Sequence, residues 1–255
     1  MSNSMMTVFG FLFIFVMTSL GGAVVIFFRK GISARVNSVF LALASGIMVA
    51  ASIWSLIIPA LDKMKAWGRW SFVPTAIGIV VGMIFLLILG HITRGSDTMD
   101  IERGKCTRLF VAVTAHNIPE GLAVGFAFGT ALADGSAGAY IVALGLAIGI
   151  GVQNFPEGIA VALPVKGVTG SRLKGFLLAV ASGVVEPIFA LLGYYLAGYI
   201  VALEPWLLSF SAGAMLYVVV SDLMPSATED GNTTLPSVAY IVGFLIMMAL
   251  DVALG

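Results

Sequence analysis

Residues 116–125 read HNIPEGLAVG and residues 153–162 read QNFPEGIAVA. Each copy sets an asparagine, a proline, a glutamate and a glycine in the same order, within stretches that are otherwise almost wholly apolar. On a helix, His116 and Glu120 lie one turn apart on one face with Asn117 beside it, and Gln153, Asn154 and Glu157 repeat that arrangement. Pro119 and Pro156 lack an N–H, so the carbonyls of Ala115 and Val152 lose their helical partners. A kink at each proline is expected to turn the freed carbonyl toward a ligand. Two carboxylates brought together in apolar surroundings repel, and one must take a proton unless a divalent cation lodges between them. Carboxylate, amide and imidazole, with a methionine thioether nearby, suit Zn²⁺ best, and also Cd²⁺, Fe²⁺ or Mn²⁺. The set is poor for Cu(I), which favours thiolates, and for K⁺, which favours a ring of carbonyls. The plainer alternative is buried ion pairs and interhelical hydrogen bonds. It is weakened because no Lys or Arg lies inside these stretches to pair with the acids.

The elements that carry these residues follow from composition. The 255 residues are 60% hydrophobic and 10% charged, whereas soluble domains carry roughly 25% charged residues. That much apolar surface cannot be hidden inside a water-facing globule. Runs of about 20 or more apolar residues, enough to cross a bilayer, occupy approximately 7–28, 36–60, 71–91, 109–131, 138–163, 175–200, 206–225 and 236–254. The first run lacks a preceding basic region and ends in Phe28-Arg29-Lys30, so it is expected to be an uncleaved span and not a signal peptide. A β-barrel is excluded because its strands are short and alternating. The predicted fold is an all-α membrane protein of eight transmembrane helices forming one domain over residues 1–255. The polar stretch about 92–108 is expected to be the longest loop, since it follows the end of the third apolar run. Arg29, Lys30, Arg35, Arg94, Arg103, Lys105, Arg108, Lys166, Arg172 and Lys174 all fall in the first, third and fifth loops. Only Lys63, Lys65 and Arg69 fall elsewhere. Odd loops should therefore face the cytoplasm, with both termini extracytoplasmic. Balanced charge leaves no nucleic-acid footprint, and the single Cys106 excludes an intrachain disulfide and a multi-cysteine metal site.

The duplicated phrase lies on the fourth and fifth spans, which as neighbours run in opposite directions. Matched sequence on opposed spans marks an inverted repeat, whose substrate site lies near the bilayer midplane. Gly46-Ile47-Met48 before Pro59 and Gly213-Ala214-Met215 before Pro225 form a weaker match between the second and seventh spans. The predicted order is three spans, a central pair, then three spans related to the first three by inversion. Gly121, Gly125 and Gly129 recur every four residues, as do Gly145 and Gly149. Such stripes let membrane helices approach closely, and here they are expected to press the fourth span onto the fifth.

The paired phrase resembles the signature of the Zrt/Irt-like protein (ZIP) family of divalent-metal transporters, in a short, prokaryotic-type form. The family's His-Asn-x-Pro-Glu-Gly stands at His116–Gly121 and its partner at Gln153–Gly158. The resemblance covers nearly the whole chain and implies a binuclear metal site. Met48, His116, Glu120, Gln153 and Glu157 match the positions of its first site, and Asn117, Asn154 and Glu186 those of the second, with both phrase glutamates bridging. Asp222 matches an acidic position on the exit path, and Ser55 is its counterpart in the inverted half. Asp62 and Asp251, near the outer ends of their spans, are placed to draw cations in. The chain departs from the family in lacking a histidine-rich third loop and in carrying Ser221-Asp222 where many members have stronger ligands. The resemblance implies zinc movement toward the cytoplasm by an elevator-type motion, across a prokaryotic cytoplasmic membrane. It implies no prosthetic group and no enzyme activity, and a homodimer is among the assemblies it allows.

Two other functions remain open on the residues alone. An intramembrane metallohydrolase would need His-Glu-x-x-His or an aspartate pair in its own context, and neither occurs. A cation/proton antiporter would not need a histidine, two asparagines and a glutamine converging on the same carboxylates.

Overall fold

The computed structural model describes residues 2–28, 33–94, 101–197 and 201–254. The described backbone is almost entirely helical and contains no strand. Eight long elements follow in order: α1 (Asn3–Phe27), α2 (Ala34–Lys63), α3 (Phe72–Arg94), α4 (Ile101–Asp134), α5 (Ala137–Thr169), α6 (Arg172–Ala197), α7 (Glu204–Ala227) and α8 (Thr234–Leu254). Among the described residues, α1–α3 and α5–α8 each carry an 18-residue stretch apolar enough to cross a membrane by length and composition. The chain is an all-α membrane protein.

Polar caps set the helix ends. Ser33 Oγ accepts the Val36 N–H before α2, and Ser136 Oγ accepts the Ala139 N–H before α5. Gly170, at φ 68°, closes α5 through its N–H to the Lys166 carbonyl and turns the chain within two residues into α6. The turn from α4 to α5 is equally short, through Gly135 at φ 74° and Ser136, so both joints make antiparallel hairpins.

The helices pack in pairs that respect an inversion. The most extensive contacts are α4 on α6, α1 on α5, α2 on α8 and α3 on α7. Exchanging α1 with α6, α2 with α7, α3 with α8 and α4 with α5 maps these pairs onto one another. Backbone-close glycines seat each pair: Gly46 against Tyr240 and Gly243 against Leu43 for α2 and α8, and Gly82 against Phe210 and Gly213 against Ile79 for α3 and α7. Both α2 and α7 open into a π-helical turn just before their prolines, at Ser52–Ile57 and Val219–Leu223. The weak match between the second and seventh spans thus carries a shared backbone device.

The glycine stripe is a correction. Gly121, Gly125 and Gly129 lie against the backbone of Glu186, Ala190 and Tyr194, so they seat α4 on α6 and not on α5. Gly149 faces Ser55, Met247 and Asp251. In α5 it is Gly158 that meets backbone, at Thr18 and Gly22 of α1. The stripe and the ligand face occupy different sides of α4, because a four-residue step carries each stripe along its own side of the helix. α4 and α5 run on as helix through Pro119 and Pro156, with both rings buried. The expected loop at 92–108 is partly helical, since α3 reaches Arg94 and α4 begins at Ile101. Charged residues at the water boundary extend a membrane helix as readily as they end it. α5 likewise runs past the predicted end of its span to Thr169.

Loop sidedness agrees between chain halves. Lys166 Nζ donates to the Phe28 carbonyl at 2.5 Å and Arg172 Nη1 to the Ile26 carbonyl at 3.0 Å, so the first and fifth loops share a face. Lys63 and Glu204 form an ion pair at 2.7 Å, which joins the second and sixth loops. Arg29, Lys30 and the side chains of Arg94, Arg103, Lys105 and Arg108, used for the predicted orientation, lie outside the described residues.

Candidate metal centre

The α4–α5 hairpin places the two copies of the phrase face to face. The ring Nε2 of His116 lies 3.1 Å from Glu157 Oε2, and Gln153 Nε2 donates to Glu120 Oε1 at 2.6 Å. The first residue of each copy therefore bonds the glutamate of the other. The asparagines converge on α6 instead: Asn117 Nδ2 donates to Glu186 Oε1 at 3.2 Å and Asn154 Nδ2 to Glu186 Oε2 at 2.6 Å. They also reach the carbonyls of Ser182 (2.9 Å) and Ile14 (3.3 Å). Glu157 is 1% exposed, and His116, Asn117, Glu120, Gln153, Asn154 and Glu186 are completely buried.

Five oxygens in this cluster have no hydrogen-bond partner: Glu120 Oε2, Glu157 Oε1, Gln153 Oε1, Asn117 Oδ1 and Asn154 Oδ1. All are acceptors, and all belong to the duplicated phrase. Buried polar atoms are satisfied in the large majority of cases, and each orphan costs about 1–3 kcal/mol. A cluster of orphaned acceptors is what a cation would complete. One ligand atom from each of His116, Glu120 and Glu157 lies within 4.8 Å of the others. A divalent ion between them would meet imidazole and carboxylate, the donors zinc accepts.

The remaining predicted residues fall into two places. Met48 is completely buried on α2, in a core cluster with Ala115 of α4 and Ala160 of α5, the helices that bear the phrase. Ser55 sits in the π-helical turn of α2 and bonds the Asp251 carboxylate of α8. Asp222 occupies the matching turn of α7, where Ser221 Oγ donates to it at 2.5 Å. Asp62 is exposed at the end of α2 and pairs with Lys65 at 3.0 Å. These four stand apart from the hydrogen-bonded cluster, on helices of the other packing set. Thr18 of α1 is a cluster member that sequence reading passes over: its hydroxyl donates to Glu186 Oε1 at 2.7 Å. A threonine among apolar residues of a first span carries no pattern that would single it out.

The ZIP zinc transporter family profile matches residues 105–251, more than half of the chain. The chain belongs to the ZIP zinc transporter family. It is 34% identical over 318 aligned positions to "Zinc transporter ZIP11" of Xenopus tropicalis, covering 94% of each chain. It is 31% identical to the protein of that name in Homo sapiens, covering 100% of this chain and 98% of the relative. It is 35% identical to "Zinc transporter ZIPB" of Bordetella bronchiseptica, covering 94% and 79%. ZIP members are transporters, so the buried carboxylates belong to a transport protein and not to a hydrolase. Both copies of the phrase and Glu186 lie inside the matched segment.

Proposed function

We propose that this ZIP member carries a divalent metal, zinc first among them, across its membrane toward the cytoplasm through a site between α4 and α5. The carrying observation is the set of orphaned acceptors beside His116, Glu120 and Glu157. Names of relatives point the same way. The site is binuclear in this reading. His116, Glu120, Gln153 and Glu157 with Met48 hold one ion. Asn117 and Asn154 offer Oδ1 to the second, Glu186 stands behind them, and the two phrase glutamates bridge. Zinc is cargo here, bound and released, and its ligand set also accommodates Cd²⁺, Fe²⁺ and Mn²⁺.

Complete burial of the cluster supports alternating access, because an ion sealed from both faces leaves only if helices move. The packing supports an elevator: the cluster lies on α4, α5 and α6 with α1 bonded to them, whereas α2, α3, α7 and α8 pair among themselves. Ser55 with Asp251 on one side, Asp222 on the other and Asp62 at the outer rim would then line the path. All lie on the second set of helices, as does Met48. The setting is a prokaryotic cytoplasmic membrane, the termini are extracytoplasmic, the eight spans form one transport domain, and a homodimer is an assembly this reading allows.

The test is zinc uptake by proteoliposomes. Glu120→Ala is expected to reduce flux to that of protein-free vesicles. Undiminished flux in that variant defeats the reading. Proton flux with no metal flux from the wild type would favour the antiporter instead.

A further inference from the structure

Glu186 receives three donors, from Thr18, Asn117 and Asn154. Both asparagines present their NH₂ groups to it and turn Oδ1 away. Those two Oδ1 atoms are among the orphaned acceptors. The Glu186 carboxylate, together with the carbonyls of Ser182 and Ile14, therefore fixes where the asparagine oxygens point. Thr18 is the donor to it that belongs to neither copy of the phrase.

Its location is set by the inversion. Gly158 of α5 lies against the Thr18 carbonyl, as Gly121 of α4 lies against the Glu186 carbonyl. Exchanging the two halves brings Thr18 onto Glu186. A carboxylate at both positions would set two like charges within hydrogen-bond range inside the membrane. A hydroxyl at one and a carboxylate at the other makes a donor–acceptor pair. A Cβ placed on Gly183 of α6 would lie 3.0–3.1 Å from Cβ and Cγ2 of Thr18, so the methyl side is packed. The hydroxyl, which also lies 3.2 Å from the Ile14 carbonyl, faces Glu186.

We propose that Thr18 is a positioning residue for the asparagine half of the metal site. By anchoring Glu186 Oε1 it holds the carboxylate that keeps Asn117 Oδ1 and Asn154 Oδ1 turned toward a divalent cation. This rests on the metal-site reading above and adds a residue from α1 to it.

The experiment is calorimetric zinc titration of the detergent-solubilised full chain, as wild type, Thr18→Val, Thr18→Ser and Asn154→Ala, with a thermal midpoint for each. Thr18→Val is expected to weaken the same class of sites as Asn154→Ala, by on the order of 10–100-fold, the usual effect of losing a partner behind a metal ligand. The remaining class should keep wild-type affinity, the midpoint should be little changed, and Thr18→Ser should restore binding. Wild-type affinity in Thr18→Val overturns the proposal, as does equal weakening of every site together with a lowered midpoint, which would assign Thr18 to folding alone. A wild type that takes up no zinc overturns the metal-site reading itself, whatever Thr18 does.

Discussion

Each residue of the cluster is constrained by the sign of its hydrogen bond. Glu186 is the clearest case, because three donors meet its two oxygens. Glu186→Gln keeps the shape but replaces one acceptor with an NH₂ group, which must then face another donor. The substitution is expected to cost about 1–3 kcal/mol through an unsatisfied buried group, read as a lower thermal midpoint, and to impair zinc flux as well. Gln153 has the opposite role: its NH₂ holds Glu120 Oε1 and leaves Gln153 Oε1 and Glu120 Oε2 unpartnered. Gln153→Glu would bring a third carboxylate against Glu120 and Glu157. Its expected result is weaker folding in metal-free detergent that added zinc partly repairs, visible as a larger zinc-induced rise in midpoint than the wild type shows.

At the scale of elements, glycine decides which helices touch. A Cβ at Gly125 would collide with the Ala190 carbonyl of α6, whereas one at Gly167 on exposed α5 meets nothing within 4 Å. Gly125→Ala is therefore expected to destabilise by about 1–3 kcal/mol, the range for overpacking. Gly167→Ala should stabilise by up to about 1 kcal/mol through helix propensity. Opposite shifts of the thermal midpoint would verify that the stripe serves α4–α6 contact, and equal shifts would not. The paired π-helical turns of α2 and α7 belong to this scale too. Each places a polar residue, Ser55 or Asp222, in a π-helical turn that a proline follows three or four residues later.

At the scale of the whole molecule, the orientation proposed from basic residues has a direct check in the single thiol. Cys106 lies at the start of α4, on the face of the odd loops, and Asp134 lies exposed at the other end of the same helix. A membrane-impermeant maleimide applied to intact cells should label Asp134→Cys in a Cys106→Ser background, and should label wild-type Cys106 only after permeabilisation; the reverse pattern would invert the topology. Much of this architecture is legible in one dimension. Apolar run length determined that the chain is helical and crosses a bilayer, since lipid admits only helices and closed barrels and barrel strands are short and alternating. The repeated His/Gln-Asn-x-Pro-Glu phrase determined which residues form the polar centre, since charge is too costly there to be incidental. Three matters were decided only by tertiary structure. Glycine periodicity names a close contact but not the partner, so only packing showed that α4 sits on α6 and α5 on α1. Hydrogen-bond pairing between the copies depends on helix rotation, which a linear pattern leaves open. Thr18 enters the site from far away in sequence, and its role exists only because Gly158 and Gly183 let α1 approach near enough for one hydroxyl to reach Glu186.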